Sequence, residues 1–191
     1  MAHKEDLRVI RTKKSLAEAF MTLLNEKCFD EITINELCDT AGVRRATFYK
    51  HYSDKYDFLA AFARSLRDQF DKEVWPTYTT KQAKAYFVHY SEKAVEYINE
   101  NEKAINNLLK SNAFASALSI VVSQNYQDTV IRLREGVAAG LKLPCSVEVT
   151  ASMFAGGVFT TIVAWILTGK PVSPAELAEQ VGNYVASVLE D

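Results

Sequence analysis

Glycine and proline are scarce, at seven and four residues in a chain of 191. That leaves little material for the frequent tight turns of a sandwich or barrel, and it favours long helices. Cysteine is scarcer still: Cys28, Cys38 and Cys145 stand far apart, in no CxxC and in no Cys/His cluster. This argues against a disulfide framework and a structural zinc site, and fits a reducing compartment. The three histidines, His3, His51 and His89, form no HExxH, and the chain contains no GxSxG or GxGxxG. No constellation for catalysis stands out, so an enzyme, a bound metal and a cofactor are not expected. Residues 1–10 carry charges where a signal peptide needs an apolar run, which predicts a cytoplasmic protein.

Long uncharged stretches are also few. Residues 149–169 form one, and 21 residues suffice to span a bilayer. Five hydroxyl side chains and three glycines dilute it, however. A helix apolar on all sides can equally be buried within a protein or between two copies of it, and that is the expectation here.

What the chain does have is charge in particular places. The formal net charge is −2, yet residues 1–72 hold 13 Lys and Arg against 12 Asp and Glu. Basic residues gather at Lys4, Arg8, Arg11, Lys13 and Lys14, and again at Arg44, Arg45, Lys50 and Lys55. Such runs are ordinarily solvated faces; they become informative when a fold aims them together.

The apolar spacing supplies that fold. Leu16, Phe20, Leu23 and Leu24 predict a first helix from about Arg8 to Lys27. Thr33-Ile-Asn-Glu36 reads as a capping box, opening a helix with Ile34, Leu37, Cys38 and Ala41 on one face. Gly42 suits a turn requiring positive φ. A short helix follows, with Phe48 and Tyr52 inward and Arg44, Arg45, Thr47, Tyr49, Lys50 and His51 outward. Asp54 caps the next, whose inner stripe is Phe58, Leu59, Phe62 and Leu66. This is a helix-turn-helix, with phosphate- and base-bonding groups on a helix narrow enough for a major groove.

The run from Thr33 to Lys55 closely resembles the DNA-binding domain of the TetR/AcrR family of transcriptional regulators. Thr33, Ala41-Gly42-Val43, Thr47-Phe48-Tyr49, His51-Tyr52 and Lys55 all fall in register. The resemblance runs from roughly Thr12 to Phe62. It implies an all-helical homodimer of about nine helices per chain: a three-helix DNA-binding domain over residues 1–60, and a larger ligand-binding and dimerisation domain over 61–191. It further implies DNA-facing roles for Thr33, Asn35, Arg44, Arg45, Thr47, Tyr49, Lys50, His51 and Lys55. Tyr49, His51 and Lys55 match positions that hold phosphates, Arg45 and Thr47 positions that read base edges, and Lys50 fits either. Two positions depart from the pattern. Arg44 stands where Ser or Thr commonly caps the recognition helix, and Tyr56 where Glu is common.

Beyond Phe70 only the organisation is similar. Trp75-Pro76 interrupts the helical pattern, Thr79-x-x-Gln82 looks like another capping box, and breaks are expected at 99–101 and 111–112. Ser146 and Ser173-Pro174 open the last two helices. In the family such a final pair packs against its symmetry mate, which points to Ala155, Phe159, Ile162, Trp165, Leu177, Val181, Tyr184, Val185 and Val188 as a dimer interface. The same residues would also suit the domain's own core. Trp75, Tyr78, Tyr86, Phe87, His89, Tyr90, Tyr97, Phe114 and Tyr126 concentrate aromatic and phenolic groups that could line an amphipathic pocket for an apolar or aromatic ligand. The expected partners are near-palindromic double-stranded DNA, a small effector and a second copy of the chain, with release from DNA on ligand binding. A ligand-independent activator or architectural protein, and a helical enzyme carrying a similar segment, are the alternatives.

Overall fold

A computed structural model describes residues 7–74, 82–112 and 114–189. Among them are nine α-helices and one 3-10 turn. The helices are α1 (Leu7–Leu24), α2 (Ile34–Ala41), α3 (Arg45–Phe48), α4 (Lys55–Val74) and α5 (Ala83–Glu100), then α6 (Glu102–Leu109), α7 (Phe114–Ala138), α8 (Val147–Leu167) and α9 (Pro174–Val188). The 3-10 turn, Phe29–Glu31, separates α1 from α2. The chain is all-α, as its turn-poor composition predicts.

The helix starts follow local chemistry. The side chains of Thr33, Ser146 and Ser173 accept N–H bonds from Glu36, Val149 and Glu176, each three residues on. Asp54 Oδ1 accepts from both Tyr56 and Asp57 at 2.8 Å. Each cap satisfies a donor that the first turn leaves without an intrahelical partner, an effect of about 1 kcal/mol. Gly42 ends α2 at φ 64°, in the left-handed region, with the Val43 N–H closing on the Cys38 carbonyl at 2.9 Å. The box expected at Thr33 is only half formed, because the Glu36 carboxylate pairs with Lys27 instead. That ion pair holds the Lys27 pKa above its ordinary value. Trp75, Pro76, Tyr78 and Thr79 lie outside the described residues.

The chain divides into two compact units. The first comprises Met1–Phe62 with Glu102–Ala117, so α6 and the start of α7 cluster with the N-terminal helices. Its core is a set of edge-on rings: Phe20 lies 6.0 Å from Phe29 and 5.2 Å from Phe58, and Tyr52 lies 5.1 Å from Phe58. Leu16, Leu37, Phe48 and, from α6, Ala104 close around them. Two polar ties hold α6 and the turn after it. Asn107 Nδ2 donates to the Leu24 carbonyl, while Ser111 Oγ and the Asn112 N–H donate to the two Asp30 oxygens at 2.8 and 2.7 Å.

The second unit comprises Ala63–Asn101 and Leu118–Asp191. Here α5 lies along α9. A Cβ at Gly182 on α9 would come within 3.2 Å of Val88 Cγ1 on α5. Phe87 on α5 stacks on Phe154 of α8 with 5.5 Å between ring centres. Among the described residues α8 is the helix long and apolar enough to cross a membrane. One of its faces is core: Thr150, Ala151, Phe154, Ala155, Ile162, Trp165 and Ile166 are buried.

Candidate nucleic-acid interface

The segment from Thr33 to Lys55 builds a helix pair whose second member has almost nothing to bury. In α3 only Phe48 is buried, and Tyr52, one turn later, joins it against Phe58. These two rings fix the orientation of α3, and the rest of its surface faces solvent. Arg44, Arg45, Tyr49 and Lys50 are exposed, and Thr47 and His51 half-buried. Arg44 sits at the N-cap without a side-chain cap bond, leaving its guanidinium free of any capping role. The backbone continues past Phe48 in single turns, with His51 and Tyr52 N–H groups both bonded to the Phe48 carbonyl.

On the neighbouring helix, Thr33 and Asn35 are exposed. The Thr33 oxygen is occupied by the Glu36 N–H at 3.2 Å, which leaves its hydroxyl proton to donate outward. Asn35 Oδ1 accepts a hydrogen bond from Arg45 Nη1 at 3.0 Å, joining the first turn of α2 to the first residue of α3.

Lys55 is placed differently from the rest. Its ammonium donates to the carbonyls of Phe29, Asp30 and Ile32 at 3.2, 3.1 and 3.3 Å, and lies 4.7 Å from the centre of the Phe29 ring. An ammonium has three donors, and here three protein carbonyls lie within hydrogen-bond reach of it. Lys55 thereby clamps the 3-10 turn to the start of α4. Tyr56, where a Glu is common, places its ring 5.6 Å from Phe29 in the same cluster.

Cys38 and His89 have packed or hydrogen-bonded surroundings. Burial pushes the Cys38 thiol pKa up, as expected of a packed side chain, with a smaller opposing effect from Arg45. His89 Nδ1 lies 3.4 Å from the Glu92 carboxylate on the same helix. Among the described residues no group of three or more His, Cys, Asp or Glu is arranged to hold a metal ion.

Of the aromatic residues expected to line a pocket, Trp75 and Tyr78 lie outside the described residues. Tyr86 and Phe87 are buried, and His89, Tyr90, Tyr97 and Tyr126 half-buried, in the second unit. Tyr86 and Tyr90 have ring centres 5.9 Å apart, and Tyr90 donates to Asn125 Oδ1 at 3.4 Å. Phe114 belongs to the first unit.

The residues expected at a dimer interface also sort by burial. Ala155, Ile162, Trp165, Leu177, Val181 and Val185 are core of their own unit. Trp165 even donates its indole N–H to the Val172 carbonyl at 2.8 Å, pinning the α8–α9 turn. Phe159 and Val188 are half-buried, and Tyr184 is exposed. The apolar surface α8 shows to solvent is another stripe, Val149, Met153, Gly157, Thr160, Ala164 and Leu167, recurring every three or four residues.

Known proteins match both halves of the chain. Residues 16–62 match the model for bacterial regulatory proteins of the tetR family, and residues 87–187 match a transcriptional regulator C-terminal region, TetR_C_8. Over 188 residues, 93% of this chain and 89% of the relative, it is 22% identical to the uncharacterized HTH-type transcriptional regulator YdeS of Bacillus subtilis. A 71-residue stretch is 30% identical to the dhaKLM operon transcriptional activator DhaS of Lactococcus lactis, and a 55-residue stretch is 44% identical to YxbF of Bacillus subtilis. These stretches span 38% of DhaS and 14% of YxbF. Among solved structures, a TetR-family regulator from Syntrophomonas wolfei superposes with a TM-score of 0.72 at 16% identity, covering 92% of this chain and 93% of that one. FadR from Bacillus subtilis, solved with stearoyl-CoA, gives 0.67 at 16% identity over 93% and 99%. With both models in sequence order on an all-helical chain, the protein belongs to the TetR family of DNA-binding transcriptional regulators.

Proposed function

We propose that this regulator is a homodimeric repressor that places α3 of each protomer in successive major grooves of a near-palindromic operator, and that a small apolar or aromatic ligand releases it. The observation carrying the reading is the exposed face at α3: Arg45 stands on a four-residue helix that buries a single side chain, and Arg44, Tyr49 and Lys50 flank it, exposed. Thr33, Asn35, Thr47 and His51 complete the surface. Arg45 and Thr47 read base edges, while Tyr49 and His51 hold phosphates. Paired recognition helices set half-sites about 34–36 Å apart, or a multiple of that.

The dimer face is the solvent-exposed stripe of α8 with Tyr184, Phe159 and Val188 beside it. Small residues at Gly157, Thr160 and Ala164 permit a close approach of two helices, and Met153 and Leu167 supply apolar area at either end. The ligand site is assigned to the second unit, around Tyr86, Tyr90, Tyr97 and Tyr126. Phenolic groups beside apolar rings suit a ligand with an apolar body and a polar end. That FadR of Bacillus subtilis was solved with stearoyl-CoA makes an acyl thioester a sensible probe. Because α4 and α7 each begin in one unit and continue into the other, either can carry a ligand-induced shift to α3.

The second reading, an activator, draws on the relative DhaS, which is named as one. Selection of bound DNA from random sequence at fixed salt, repeated with apolar and aromatic metabolites and stearoyl-CoA, tests both. A two-fold symmetric site lost on adding a ligand supports the proposal. Coupling must be reciprocal, so operator DNA must weaken ligand binding by the same factor, typically about 5–150-fold. A symmetric site unaffected by any compound points to a ligand-independent activator or architectural protein, and absence of any selected sequence removes both.

A further inference from the structure

We infer that Asn35 sets DNA sequence preference without reading a base: it holds the Arg45 guanidinium in the orientation from which Arg45 reads one. The inference rests on Arg45 being a base-reading residue, and it adds a second, positioning residue on the other helix.

Arg45 is the first residue of α3, and Asn35 lies in the first turn of α2, ten positions earlier in the chain. The two are joined by the Arg45 Nη1 to Asn35 Oδ1 bond at 3.0 Å. Both side chains are exposed, so burial in the core does not fix the arginine stem. An unrestrained arginine carries about 2 kcal/mol of rotamer entropy, all of which it gives up on gripping a base edge. One fixed hydrogen bond removes part of that loss before DNA arrives, which is what pre-organisation means energetically.

The geometry of the guanidinium permits this without disabling it. Five N–H donors lie in a plane, and the Asn35 bond occupies one on Nη1. The edge formed by Nε and Nη2 keeps its two parallel donors, the pair that a guanine O6 and N7 accept. The amide is also the right partner chemically. Its oxygen accepts without carrying charge, so it steers the cation and does not neutralise it in front of polyanionic DNA. A carboxylate at this place would steer Arg45 as well, and would repel every phosphate nearby. That difference separates holding from binding.

The experiment compares the wild type with Asn35→Ala, Asn35→Asp, Arg45→Ala and the Asn35→Ala/Arg45→Ala double variant in full-length protein. Binding is measured on the selected site, on sites altered at single base pairs, and across a salt series. Thermal melts accompany each variant and should agree within error, because both side chains are exposed. Arg45→Ala is expected to flatten the preference at one base pair. Asn35→Ala should lower the preference at that same pair, by roughly tenfold, the weight of one hydrogen bond to a charged group. The salt slope should stay unchanged. The double variant should be no flatter than Arg45→Ala alone. Asn35→Asp should keep the preference and weaken binding to all sequences alike. If Arg45→Ala flattens a base pair that Asn35→Ala leaves sharp, or sharpens, the inference is overturned while the reading of α3 stands. If Arg45→Ala flattens none, the base-reading role of Arg45 fails and takes the inference with it.

Discussion

The ammonium of Lys55 sits 4.7 Å from the centre of the Phe29 ring, over a turn whose three carbonyls it also binds. The pairing ties the start of α4 to the segment that links α1 and α2, and Phe29 in turn anchors that segment in the core beneath Phe20. Lys55→Met keeps the stem and removes the donors. It should lower stability by about 1–3 kcal/mol, the range for hydrogen bonds to a charged group in a half-buried place. Thermal melting will show this, and a salt titration of DNA binding should return the wild-type slope. An unchanged melt with a slope reduced by about one would mean that Lys55 holds phosphate after all.

Gly182 on α9 faces Val88 on α5. Its missing Cβ leaves the space that the Val88 methyl fills, and a side chain there must push that methyl aside. Gly182→Leu should destabilise the second unit by roughly 1–3 kcal/mol through overpacking. Val88→Ala should recover part of the loss in the double variant. Two losses that simply add would show that the residues do not share this space.

Trp165 and Leu167 lie two residues apart on α8, yet Trp165 is 4% exposed and Leu167 66%. Trp165→Glu should abolish cooperative folding, since it buries a charge and removes the bond to Val172. Leu167→Glu should leave the far-ultraviolet circular dichroism and the monomer fold intact while shifting light scattering towards monomer. A Leu167→Glu protein that stays dimeric at micromolar concentration would move the interface off this stripe.

Burial pushes the Tyr97 pKa above its ordinary value near 10. The folded chain therefore keeps the phenolic proton more tightly than the unfolded chain does. This stabilisation is fully present below about pH 10 and is lost as pH rises through the higher folded value. Tyr97→Phe should flatten the alkaline fall in melting temperature and remove phenolate absorbance only from the late, high-pH part of the titration; absorbance lost from the ordinary range near pH 10 would show the assignment wrong.

How legible these features were from sequence depends on how far apart the partners lie. Thr33, Asp54, Ser146 and Ser173 could be read as caps because a cap and its N–H are within three residues. Gly42 could be read because a left-handed turn excludes most other side chains locally. The α3 surface followed from Phe48 and Tyr52, which fix the inner side by spacing alone. The clamp made by Lys55 is not legible because its carbonyl partners are 23–26 residues away, and lysine on a basic segment looks the same whether it faces solvent or a turn. Glu36 was half misread for a like reason: its partner Lys27 precedes the box altogether. On α8 the sequence is apolar all round, so periodicity cannot choose a face. Trp165 and Leu167 were separable only by burial.

The placement of α6 bears on the order in which the protein is made. Ala104 completes the ring cluster built by Phe20, Phe29 and Phe58, and Leu108 packs against it. A ribosome adds roughly 5–20 residues per second. The helix-turn-helix segment, finished by Phe62, thus waits several seconds for the piece that closes its core. During that wait α5 is synthesised ahead of its partner α9. The nascent chain carries two unfinished cores at once, each lacking a helix still to be made, and a slow stretch of translation between them prolongs its exposure to aggregation.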